Sequence, residues 1–227
     1  MRTVVVVGAS LAGLRAAETL REEGFEGTVV VVGDEPHRPY DRPPLSKQVL
    51  TGEWEPDRIA LPAADGPLDL DWRLGVRATG LDLAGRAVHV DGGPSIPYDG
   101  LVIATGATPR RLPLGEGLAG VHVLRTLDES LALRADLEAV PRRVVVIGAG
   151  FIGAEVAASC RARNLPVTLV EALPVPLGRV LGADVGTELG AVHRDHGVDL
   201  RTGTGVASVE GGARVERVIL SDGTVVD

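Results

Sequence analysis

The chain has 227 residues, enough for one large or two modest domains with ample core in either case. Its 44% apolar and 24% charged content is ordinary for a soluble globular protein, and a formal net charge of −8 argues against nucleic acid as a partner. No apolar run approaches membrane-spanning length and Val4 to Val7 is too short for a signal-peptide core, so a cytoplasmic location without a membrane partner is expected.

Thr3 to Val7 reads as a buried strand, and Gly8-Ala9-Ser10-Leu11-Ala12-Gly13 as the turn after it. Gly8 and Gly13 occupy two of the glycine positions of a dinucleotide-binding turn, with Ser10 in place of the middle one; Leu11 and Ala12 complete the cradle. Leu11, Leu14, Ala17 and Leu20 recur at helical spacing and the helix stops near Gly24. Thr28 to Val32 is the next strand, and Asp34 and Glu35 at its end can accept from a ribose hydroxyl.

Prolines fix an extended loop from Pro36 to Lys47, in which Arg42 can clamp a pyrophosphate and a short helix can begin after Ser46. By composition alone it is a solvated Pro/Arg loop. Asp71 to Val76, Ala78 to Leu83 and Ala87 to Val90 are predicted as short strands, and Leu101 to Ala104 as a buried one ending at Thr105-Gly106. Residues 110–120, rich in Pro, Gly and Leu, are expected to cross between domains. Thr126 and Glu129 form a capping box for a helix whose apolar face carries Leu127, Leu131 and Leu137.

The complete fingerprint follows. Arg143 to Ile147 is a β-branched run, Gly148-Ala149-Gly150-Phe151-Ile152-Gly153 is G-x-G-x-x-G, a helix extends to Asn164 before Pro166, and Val167 to Val170 ends on Glu171. Gly148 permits the tight turn, Gly150 lets backbone approach a pyrophosphate and Gly153 lets helix and strand pack closely. Glu171 stands 171 − 148 = 23 positions past the first glycine, where it can accept from a ribose 2′-OH. Glu155 lies in the first turn of the helix, where an acid is favoured by the dipole whatever its role. Cys160, the one cysteine, shares a face with Ile152 and Val156 and reads as core packing; alone it supplies no disulfide and no redox pair, which argues against a flavoprotein disulfide reductase.

Asp184 is expected to cap a helix with Val185, Leu189 and Val192 inward, ending near Gly197. His193 and His196 on it have no third ligand nearby, so no metal is expected. Val198 to Arg201, Val206 to Glu210 and Val215 to Leu220 are predicted strands, with a turn at Asp222-Gly223. Two βαβ units make the fold α/β, with two Rossmann-like three-layer nucleotide-binding domains.

Tyr40 to Lys47 as Y-D-R-P-P-L-S-K, Ala104 to Arg110 as A-T-G-A-T-P-R, and Gly148 to Gly153 continuing into Glu155 resemble the FAD-dependent NADH:ferredoxin reductases of Rieske oxygenase and cytochrome P450 systems, over essentially the whole chain. The resemblance implies an FAD-binding domain over 1–115 and an NAD-binding domain over 116–227, in which NADH passes hydride to FAD and the flavin passes single electrons to a [2Fe-2S] ferredoxin or Rieske-type acceptor. It implies that Val76 contacts the adenine end of FAD, that Ala104, Thr105 and Gly106 pass beside the flavin, and that Arg179 lies near the second cofactor. It makes Lys47 and Glu155 a catalytic pair near flavin N5. NAD rather than NADP follows from the Glu171 carboxylate, which would repel a 2′-phosphate. The family continues past the position of Asp227 with the rest of the NAD domain, an A-x-G-D segment and a C-terminal interface domain, so an amino-terminal part is expected. The competing readings are a non-catalytic dinucleotide-binding module and an NADH oxidase or reductase of another acceptor.

Overall fold

A computed structural model of the chain describes residues 2–62 and 68–227. Two compact units emerge, Met1–Asp41 with Asp57–Thr108 and Arg42–Pro56 with Pro109–Asp227.

In the first unit, valine runs make the central strands. β1 (Thr3–Val7) lies parallel between β2 (Thr28–Gly33) and β7 (Gly100–Ile103), and β3 (Asp71–Leu74) pairs with the outer edge of β2. β-Branched side chains suit strands covered on both faces. Alternation divides the valines between two cores. Val4, Val6, Val29 and Val31 pack with Ala17 of α1 (Leu11–Glu22), whereas Val5, Val7, Val30 and Val32 pack with Val88 and Ile96 of an antiparallel sheet. That sheet is β4 (Ala78–Asp82), β5 (Ala87–Val90) and β6 (Ile96–Pro97). The unit thus has three layers: helix, parallel sheet, antiparallel sheet. α1 ends on left-handed Gly24, φ 79°, as expected. β3 is shorter than predicted because Gly75, at φ 69°, turns the chain after Leu74.

The second unit repeats the plan. β8 (Val144–Ile147), β9 (Val167–Glu171) and β10 (Val198–Thr202) form a parallel sheet, ordered β10-β9-β8. One face, through Val167, Leu169, Val198 and Leu200, packs on Val156, Ala157 and Cys160 of α4 (Phe151–Ala162); Val170, on the other, packs on Val218, Leu220 and Val226. Those three belong to the antiparallel sheet of β11 (Val206–Gly211), β12 (Val215–Leu220) and β13 (Val225–Val226). α2 (Gln48–Thr51), preceded by a 3-10 turn over Pro43–Ser46, contributes fully buried Leu50 to the α4 core. α3 (Leu127–Glu138) carries the predicted capping box, with Thr126 Oγ1 accepting from Glu129 N and the Glu129 carboxylate from Thr126 N.

The helix expected after Asp184 differs. α5 (Gly178–Asp195) begins earlier, from a left-handed Leu177 at φ 55°, and is interrupted at Gly182. Its buried residues are Gly186 and Gly190, while Val185 and Val192 are 48% and 52% exposed. A Cβ on Gly186 would fall 2.5 Å from the Pro176 carbonyl oxygen, so close backbone approach rather than an apolar stripe sets the inward face.

Candidate functional site

Both glycine turns sit at the carboxyl end of the first strand of their sheet, where α/β folds bind ligands. In the first unit Gly8 has φ 122° and its N–H donates to Val32 O at 2.8 Å. A Cβ at Gly8 would lie 2.0 Å from Ala104 O, and one at Gly13 would lie 1.8 Å from Gly8 O. Ser10 is the N-cap of α1 and makes no side-chain capping bond there; Leu11 and Ala12, both exposed, open the helix. Asp34 is exposed and pairs with Arg77 at 3.1 Å, and Glu35 accepts from the Tyr40 hydroxyl. Val76 is half-buried against the valine core, its N–H donating to Gly33 O at 2.8 Å. Ala104 follows β7, and Thr105 and Gly106, φ 70°, are exposed beyond it.

The second turn has the same construction. Gly148, φ 96°, donates to Val170 O at 2.8 Å, and a Cβ on Gly153 would lie 1.9 Å from Gly148 O. Around Gly150 the space is open: a Cβ there would meet nothing within 4 Å. Gly150 caps α4, and Phe151 and Ile152 beside it are 53% and 49% exposed. The Glu171 carboxylate accepts from Ala149 N at 2.8 Å and Leu173 N at 2.9 Å, bracing the turn from the end of β9. A groove of about 1570 Å³ runs past Gly148, Gly150, Phe151, Glu171 and exposed Arg179. Orphan N–H groups at the start of α4, open backbone at Gly150 and an acid at the strand end suit a dinucleotide pyrophosphate and ribose.

Lys47 and Glu155 meet within this unit, with Lys47 Nζ 2.8 Å from Glu155 Oε2. Nζ also donates to Pro43 O at 2.9 Å, and Ser46 Oγ donates to the same Oε2 at 2.5 Å. Burial pushes the Glu155 carboxyl up, but the Lys47 and Ser46 bonds outweigh it and hold the group below the ordinary glutamate value. Arg42, predicted to clamp a pyrophosphate, donates through Nη1 to the Arg125 carbonyl at 2.6 Å.

Sequence reasoning missed several polar contacts. Ser130 Oγ donates to Leu45 O at 2.8 Å and Ser159 Oγ to Ser46 O at 2.6 Å. Asp136 joins His122 and Arg214, both at 2.6 Å; the Arg214 bond holds its carboxyl below the ordinary aspartate value, against burial and with help from His122. Partners so far apart in the chain leave no local pattern to read. Cys160 is fully buried, and burial pushes its thiol up to about 11. Among the described residues no helix is long and apolar enough to cross a membrane.

The family described as pyridine nucleotide-disulphide oxidoreductase matches residues 2–227. The chain is similar to the biphenyl dioxygenase system ferredoxin–NAD(+) reductase component of Paraburkholderia xenovorans (strain LB400), 42% identical over 97% of this chain and 54% of that protein. It is similar too to rhodocoxin reductase of Rhodococcus erythropolis, 40% identical over 99% of this chain and 53% of that one. Among solved structures, the covalent putidaredoxin reductase–putidaredoxin complex matches with a TM-score of 0.92 at 36% identity, covering 99% of this chain and 56% of the other. The chain spans about half the length of the curated relatives it matches. With both glycine turns, their terminal acids and the three-layer units in place, the chain belongs to the pyridine nucleotide-disulphide oxidoreductase family.

Proposed function

We propose that the chain is the nucleotide-binding part of a cytoplasmic flavoprotein reductase that takes electrons from NADH through FAD to a [2Fe-2S] ferredoxin or Rieske-type acceptor of an oxygenase or P450 system. The observation that carries this reading is the Lys47–Glu155 pair, 2.8 Å apart, in the same unit as the open Gly150 turn. FAD, when bound, supplies the conversion between a two-electron donor and a one-electron acceptor.

In this reading residues 1–115 hold FAD and 116–227 hold NADH. Gly8, Ser10, Leu11, Ala12 and Gly13 would receive the FAD pyrophosphate, Asp34 and Glu35 the ribose, and Val76 the adenine end, with Ala104, Thr105 and Gly106 beside the ring; Arg42 would clamp a pyrophosphate. Gly148, Gly150, Phe151, Ile152 and Gly153 would receive the NADH pyrophosphate on the α4 N-terminus, with Glu171 on the ribose and Arg179 nearby. Lys47 and Glu155 orient the nicotinamide and set the local charge. Relatives named as a dioxygenase-system ferredoxin–NAD(+) reductase component and as rhodocoxin reductase, 42% and 40% identical, support the acceptor class.

The open Gly150 turn and the Glu171 brace would serve a dinucleotide-binding module without turnover equally well, and that is the second reading. The visible spectrum of the FAD-reconstituted chain, before and after anaerobic NADH, separates the two. Flavin bands that bleach, and recover when a [2Fe-2S] ferredoxin is added, are the expected result. Bound flavin or NADH without bleaching would leave the module.

A further inference from the structure

We propose that Ser46 is a positioning residue for Glu155, held in register by Ser159. The proposal rests on the reductase reading for its catalytic consequence, while its structural core concerns this chain alone. Ser46 ends the 3-10 turn Pro43–Ser46, where two prolines restrict the backbone, and it is 5% exposed. Its hydroxyl donates to Glu155 Oε2 at 2.5 Å and its carbonyl accepts from Ser159 Oγ at 2.6 Å. Glu155 and Ser159 are four residues apart on α4, so one helix face holds both polar ends of Ser46. From α3, Ser130 Oγ holds the preceding carbonyl, Leu45 O, at 2.8 Å.

This arrangement divides the work between two donors on one carboxylate oxygen. Lys47 is 40% exposed on its side chain, long, and shared with the Pro43 carbonyl, so it can turn toward a ligand. Ser46 is short, buried and fixed at both ends. It therefore keeps the Glu155 rotamer when Lys47 leaves, and Glu155 needs that support because a glutamate otherwise spreads over several rotamers. Simple packing of the 42–51 segment predicts no such effect on the carboxylate.

The test uses the 227-residue chain without cofactor, with Ser46→Ala, Ser46→Thr and Ser159→Ala, each alone and with Lys47→Ala. Glu155 is followed by carboxyl ¹³C NMR against pH, with the thermal midpoint as a control for folding. A hydrogen bond to the charged form lowers a carboxyl pKa, so Ser46→Ala should raise the Glu155 midpoint by about one pH unit, tenfold in protonation, with Lys47 present or absent. Ser159→Ala should move it the same way by less, and Ser46→Thr should restore it. Unchanged midpoints in both Ser46→Ala and Ser159→Ala would overturn the proposal. Anaerobic flavin reduction by NADH then reads the catalytic consequence: kcat falls about tenfold while KM changes little, the pattern of a lost transition-state interaction. If wild type fails to bleach while the midpoints shift, the reductase reading falls and the positioning of Glu155 stands.

Discussion

Gly150 and Gly153 belong to one motif but answer to different demands, and substitution should separate them. A methyl on Gly153 would sit 1.9 Å from the Gly148 carbonyl oxygen, backbone that has to move, so Gly153→Ala should cost about 2–3 kcal/mol of stability. Gly150 has φ −76° and open space around its missing Cβ. Gly150→Ala should therefore cost less than about 1 kcal/mol, as a changed N-cap, while on the proposed NADH site binding should weaken about tenfold or more because the methyl would occupy the pyrophosphate's approach. Calorimetry with a fluorescence titration of NADH checks both; equal loss of stability in the two variants would sink the distinction. Glu171 carries a related prediction. Glu171→Gln keeps one acceptor for the Ala149 and Leu173 N–H groups but removes the charge, so affinity for NADPH relative to NADH should rise about tenfold, measured by competitive titration. Gly148 and Gly153 were legible as turn residues because their requirement is local, a positive φ or a missing Cβ written in one residue type. In the sequence Ser46 is only a place in a motif; its partner Glu155 is 109 positions away, and such a contact exists only after folding.

Elements were legible to the degree that side chains, rather than backbone, make their contacts. The valine runs of β1, β2, β8 and β9 announced buried parallel strands, and Thr126 with Glu129 announced the start of α3. Thr126→Ala should lower stability by about 1 kcal/mol, since Glu129 N loses its acceptor at the N-terminus of α3. A thermal midpoint unchanged from wild type would show that the box contributes nothing to the fold. α5 departs from its apolar pattern for the opposite reason. Its contacts run through Gly186 and Gly190, whose lack of side chain is what lets the helix approach Pro176 and Leu200, and a search for apolar spacing selects Val185 and Val192 instead. The Asp136 contacts with His122 and Arg214 likewise join residues 14 and 78 positions apart, which no helical or strand period records.

Across the whole molecule, each unit repeats helix, parallel sheet and antiparallel sheet, but packing does not follow chain order. Residues 42–56 group with 109–227, and within that unit Leu50 is fully buried among Ala149, Val156, Ala157, Cys160, Val167 and Leu169. In the sequence Pro36 to Lys47 reads as an extended loop with Arg42 for a pyrophosphate, and nothing marks Leu50 as core. An isolated leucine on a four-residue helix has no periodicity to declare it. Its burial has a consequence that the cofactor reading alone does not. Leu50→Ala should cost about 2–5 kcal/mol, the range for a leucine truncated in a closed core. The loss should appear as faster amide exchange in β8, β9 and β10, whose side chains share the cluster with Leu50. The amides of β1 and β2 provide the internal reference, because their clusters contain no residue from 42–56. If exchange accelerated equally in all five strands, or in none, Leu50 would not be a local core residue of the second unit. If it accelerated only in the three, the segment that carries Lys47 would be anchored by the same core that supports the Gly148–Gly153 turn, and substitutions in that core would disturb the Lys47–Glu155 pair without touching either residue.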